Sequence, residues 1–87
     1  MQPSGYTLKR AKDACNQFTI GKTTLYAWQA SGLITPGIAL GLRSVAWPAH
    51  ELDAIAAARI AGKSEDEIRA LVRDLVAARA QAGKLAA

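Results

Sequence analysis

One cysteine, Cys15, and one histidine, His50, are all that this chain offers a soft metal. A lone cysteine closes no disulfide within the chain, and the pair falls short of the four ligands of a structural zinc site. Stability must come from packing or from a bound partner. Aromatic residues are also few, at two Trp, two Tyr and one Phe. No apolar run approaches the roughly 20 residues needed to span a bilayer. Residues 1–6 lack a basic start followed by an apolar stretch, which gives no sign of a secretory signal; the expected location is the cytosol. Also missing are a Ser, His and Asp set, a Walker loop and paired carboxylates that could share a cleft. The expectation is a protein that is not an enzyme and needs no metal or cofactor.

What is present is a helix-forming chain of 87 residues, 51% hydrophobic with alanine inflating that figure, enough for one small domain. Charge is unevenly placed. Residues 1–47 carry Lys9, Arg10, Lys12, Lys22 and Arg43 against Asp13 alone, whereas residues 48–87 carry six basic and six acidic side chains. The whole net charge of +4 therefore lies in the front half, which suits a polyanion.

Residues 1–6, with Pro3, Ser4 and Gly5, are expected to be disordered. Thr7 is positioned to cap a first helix over 8–18, whose apolar residues Leu8, Ala11, Ala14, Cys15 and Phe18 follow the helical period. Cys15 is read as a buried, inert small hydrophobe. Lys9, Arg10 and Lys12 fall on or near the exposed side, either as a solvated face or as phosphate contacts. A short turn containing Gly21 then opens a second helix at Lys22. Ile20, Leu25 and Trp28 form its core stripe, and Lys22, Thr23, Tyr26 and Ala27 form a small, basic, hydrogen-bonding face. A lysine at a helix start is unfavourable beside the positive dipole end unless an anion docks there. This is the pattern of a recognition helix entering a DNA major groove.

After Gly32 the chain reads as extended. Pro36 and Gly37 make a turn, and β-prone runs at 38–40 and 44–47 flank Gly41, Leu42 and Arg43, giving a hairpin with arginine at or near its tip. Pro48 starts a third helix to about residue 61, with Leu52, Ile55, Ala56 and Ile60 expected beneath the recognition helix and Trp47 as anchor. His50 is read as a surface residue. Ser64 and Glu67 form a capping box for a fourth helix to about residue 81, and residues 82–87 are expected to fray. The fourth helix carries the stripe Ile68, Leu71, Val72, Leu75 and Val76, which either closes the core or binds another copy of the protein; self-association is the favoured reading.

Thr23-Thr24-Leu25-Tyr26, then Gly32, the Pro36 turn and Gly41-Leu42-Arg43-Ser44-Val45-Ala46-Trp47 before an acid-starting helix, resemble the AlpA family. These small phage and mobile-element regulators are related to excisionases. The resemblance covers about residues 8–61 and implies a mainly α fold with a small β-hairpin wing, a MerR-like winged helix-turn-helix, followed here by an additional C-terminal helix. It implies DNA binding through the second helix and the wing, matched by Lys22, Thr23, Tyr26 and Arg43. With the neighbouring Thr24, Ser44, Lys9, Arg10 and Lys12, these make the candidate DNA-contacting set. Gly21 stands where the family usually has a serine cap, Ala27 where it often has a basic residue, and Ile34-Thr35-Pro36-Gly37 where it often has a phenylalanine-proline pair.

The expected partners are double-stranded DNA, further copies of the chain along it and a tyrosine recombinase, with no membrane and no small-molecule substrate. The expected function is a recombination directionality factor that binds cooperatively and bends attachment-site DNA to favour excision. Its alternative is a transcriptional regulator of an integrase or excisionase gene. A third reading, from another class, is a protein-interaction module that uses the basic face for an acidic partner.

Overall fold

The computed structural model describes residues 6–86, with side chains to residue 82. Its elements are β1 (Leu8–Arg10), α1 (Ala11–Phe18), α2 (Lys22–Ala30), β2 (Ile38–Ala39), β3 (Val45–Pro48), α3 (Ala49–Ile60) and α4 (Glu65–Ala86). The architecture is mainly helical with one small antiparallel sheet of order β1-β3-β2. The disorder expected at 1–5 and the fraying expected at 87 lie outside the described residues.

The front of the chain departs from the expected helix over 8–18. Leu8, Lys9 and Arg10 form a strand whose register sets Leu8 opposite Pro48, Lys9 opposite Trp47 and Arg10 opposite Ala46. Pairing with a distant strand overrides local helical preference here. Thr7 consequently caps nothing by its side chain; its carbonyl accepts from the Ala49 amide at 2.8 Å, satisfying the first turn of α3 instead. α1 begins from an extended Arg10 that lacks a side-chain cap.

The turn between α1 and α2 is also built differently. Thr19, not Gly21, is the left-handed residue, at φ 57°, and the Ile20 amide returns to the Cys15 carbonyl at 3.0 Å. A β-branched residue is uncommon in that conformation, so the turn holds local strain. Gly21 is extended, at φ −88°, and serves as a helix N-cap with no side chain to offer. α2 closes on Gly32 at φ +77°, with the Leu33 amide bonded to the Trp28 carbonyl at 2.8 Å.

From Gly32 the chain dives inward, and Leu33, Ile34 and Thr35 are buried. The Trp47 indole N–H donates to the Thr35 carbonyl at 2.8 Å, and the Gly37 amide donates to the Gln29 side chain at 3.1 Å. A Cβ on Gly37 would run into Cγ1 of Val45, with Cζ2 of Trp47 at 3.1 Å, so only glycine allows the loop to lie against the hairpin. Trp47, Leu25, Leu52 and Ile55 are fully enclosed with Ile34, Ile68 and Val72 around them.

α3 follows Pro48 directly, and its inner stripe is Glu51, Leu52 and Ile55. Ile60, expected to join that stripe, is 87% exposed, and Ala56 is only half-buried. Arg59 takes the place instead: it continues the turn of Leu52 and Ile55 and lays its guanidinium 4.0 Å from the Trp28 ring centre. Trp28 meets Phe18 edge-on at 5.6 Å on its other side.

α4 begins as expected: the Ser64 amide donates to Glu67 at 2.9 Å and the Glu67 amide donates to Ser64 Oγ at 3.1 Å. These bonds favour the ionised Glu67 and hold its carboxyl below the usual range, the Ser64 backbone N–H contributing most. The helix runs on through Ala86 rather than fraying at 82.

The expected self-association stripe is largely spent within the chain. Ile68 and Val72 are buried in the core, Leu71 and Leu75 pack against it, and Val76 at the end of the stripe is 37% exposed. Burial of these apolar side chains accounts for the docking of α4, and an ion pair adds to it. Arg79 reaches from α4 to Glu51 on α3, with Nε 2.8 Å from Oε2 and Nη2 2.7 Å from Oε1, and Nη2 also donates to the Pro36 carbonyl at 2.8 Å. That clamp ties α4 to α3 and to the loop after α2.

Candidate nucleic-acid interface

Four cations from four different segments converge on one open cleft of about 280 Å³. Arg10 comes from β1, Lys12 from the first turn of α1, Lys22 from the first residue of α2 and Arg43 from the hairpin loop. Ala11, Tyr26 and Val45 complete the walls, and no carboxylate lines them. Among the described residues the ion pairs involve only Arg69 and Arg79, so the four cleft cations have no acid within 4 Å. Their mutual repulsion is relieved when a multivalent anion enters.

The amino end of α2 adds to this field. Its first-turn amides have no acceptor within the helix, the Gly21 cap contributes none, and the first turn holds no acid. Lys22, Thr23, Thr24, Tyr26 and Ala27 are all exposed, while Leu25 is sealed into the core beneath them. The Tyr26 ring lies 6.3 Å from that of Trp47, so the helix and the hairpin's inner strand are braced through two aromatics. Arg69 secures the other end of α2, donating from Nε to the Ser31 carbonyl at 2.9 Å.

The hairpin stands beside this helix. The Leu40 amide donates to the Ser44 carbonyl at 2.7 Å, closing Gly41, Leu42 and Arg43 into a tight loop, and Ala39 pairs with Val45 just below. Arg43 therefore sits at the end of the loop and reaches back into the cleft.

Of the nine candidate contact residues, the cleft gathers Arg10, Lys12, Lys22, Tyr26 and Arg43. Thr23 and Thr24 lie outside it on the open surface of α2, and Ser44 is half-buried in the hairpin. Lys9 does not line the cleft: strand alternation turns it away from the side Arg10 takes, and it is half-buried. Sequence reasoning missed Ala11 and Val45 as walls, because only the tertiary pairing of β1 with β3 brings them together. His50 lies elsewhere, exposed, with its ring 5.6 Å from that of Tyr6, and Cys15 is a buried free thiol. No helix among the described residues is long and apolar enough to cross a membrane. Searches against protein families, curated proteins and solved structures return no match for this chain.

Proposed function

We propose that this chain binds double-stranded DNA as a winged helix-turn-helix of the AlpA-like, excisionase-related kind, with α2 in the major groove and the hairpin on the flanking minor groove. The observation that carries the reading is the acid-free cleft where Arg10, Lys12, Lys22 and Arg43 meet at the amino end of α2. A duplex backbone presents regularly spaced phosphates to such a set, and the small exposed residues Thr23 and Ala27 let α2 approach base edges closely. The protein contributes charge and shape and performs no bond chemistry.

Within this reading the chain acts as a recombination directionality factor, bending attachment-site DNA so that a tyrosine recombinase excises the element. Since Ile68 and Val72 are committed to the chain's own core, cooperation between copies runs through the DNA they deform rather than through that stripe.

Site selection from a random duplex pool, followed by fluorescence anisotropy across a salt series, tests the proposal. With four phosphates neutralised, log Kobs against log[salt] falls with a slope of about −3.6. Lys22→Ala and Arg43→Ala each make it shallower by about one. A flat salt response, or full affinity in both variants, overturns the assignment and favours a module for an acidic protein. Enriched direct repeats at helical-turn spacing support the directionality role; an isolated or inverted site replaces it with promoter regulation.

A further inference from the structure

Leu42 is the most exposed large apolar side chain among the described residues, at 105% of its reference area, and it stands at the tip of the hairpin loop. Leu40, at 52%, flanks it on the same loop. Nothing among the described residues covers this tip, and Gly41 beside it has no neighbour within 4 Å of where a Cβ would stand. The mounting is firm. The Leu40 to Ser44 hydrogen bond closes the loop, β2 and β3 pair beneath it, and the next residue inward from Ala46 is the fully buried Trp47. An isobutyl group held in water on a stiff support has burial still to gain from a partner.

The surroundings define that partner. Arg43, the next residue, shares a cleft with Lys22, Arg10 and Lys12. An apolar protein surface pressed onto Leu42 would leave these cations to be desolvated without acids opposite them. A nucleic-acid duplex accommodates both features. Phosphates flanking a base step take the cations, and the opened faces of the step take the leucine.

We propose that Leu42 is an apolar wedge, inserting between base pairs from the minor groove and kinking the duplex while α2 occupies the adjacent major groove. The proposal rests on the DNA-binding reading above and adds the element that bends. Wedge residues of this type partly unstack one step and kink DNA by about 20–90°. Unstacking opposes the gain from burying the side chain, so Leu42 governs the shape of the complex more than its strength. It also accounts for cooperation without a protein interface: a kink made by one copy presents a pre-bent neighbour site to the next.

The experiment uses the full chain and a duplex selected by it, with 2-aminopurine placed in turn at each step facing the hairpin and an end-to-end fluorophore pair reporting bend. For the wild type, 2-aminopurine brightens at one step and the ends approach. Leu42→Ala keeps its melting temperature and binds within about tenfold of wild type. Its 2-aminopurine signal stays quenched and the end-to-end distance stays near that of free DNA. Leu42→Met restores both signals, and Arg43→Ala weakens binding while the saturated complex stays unstacked and bent. Full brightening and bending in Leu42→Ala overturn the wedge and leave the DNA-binding reading intact. A wild-type protein that binds no duplex overturns that reading itself, and the wedge with it.

Discussion

Among the described residues, Arg79 is the one cation paired with Glu51, a carboxylate that the structure encloses completely, and replacing it with methionine removes that partner. Glu51 is 0% exposed, and both its oxygens accept from Arg79, whose side chain is 25% exposed. Loss of one partner from a buried pair costs about 3–5 kcal/mol, chiefly through the charge left behind. Partial exposure of Arg79 places this pair at the lower end, near 3 kcal/mol. In a chain of this size each kcal/mol lowers Tm by roughly 4–8 °C, which gives a fall of roughly 12–24 °C. Thermal and urea unfolding followed by tryptophan fluorescence and circular dichroism would measure it. The origin is checked by the double variant Glu51→Leu with Arg79→Met, which takes both charges out and recovers most of the loss. A single variant that loses less than about 1 kcal/mol, or a double variant no better than the single, refutes the reasoning. Because Arg79 also holds the Pro36 carbonyl, the single variant should loosen the loop leading to the hairpin, seen as faster amide exchange at Gly37.

Gly37→Ala should destabilise the protein and weaken DNA binding together, since the new methyl displaces Val45, a wall of the cleft; an unchanged hairpin by NMR chemical shift would contradict this. Trp47→Ala should cost about 3–5 kcal/mol and exceed Trp28→Ala, because Trp47 is fully enclosed and Trp28 only half-buried; denaturant midpoints decide the order. Glu67 has a depressed folded-state pKa, so its contribution is present above the unfolded value and is lost as pH falls through the folded one. Helix content at the start of α4 should therefore drop on acidification below the usual carboxylate range, and Glu67→Gln should remove that part of the response, as read by site-resolved amide exchange.

Local signals located much of this fold. The Ser64 and Glu67 box fixes the start of α4, Pro48 stands at the start of α3, and the β-prone runs around Gly41 to Arg43 show the hairpin. What the sequence hid depends on distant partners. Residues 8–10 read as helix because Leu8 and Ala11 fit that period, yet β3, some 40 positions onward, takes them as a strand. The Arg79 clamp was equally invisible, because Glu51 and Arg79 lie 28 residues apart on helices whose outer faces both read as polar. The α4 stripe alone left core closure and contact with another copy both open, and only the packed chain shows Ile68 and Val72 inside the core. In the candidate site the cations themselves were legible as a charge excess, whereas their convergence required β1, which carries Arg10 into the cleft.

The clamp also has a consequence for how the protein is made. On the ribosome, β1 emerges first but lacks its partner until β3 follows, and Glu51 must remain hydrated until Arg79 arrives another 28 residues later. Contacts of such long reach in sequence close late. Nascent chains stalled before Arg79 has cleared the exit tunnel should therefore be more accessible to protease at the loop after α2, where the Pro36 carbonyl awaits Arg79.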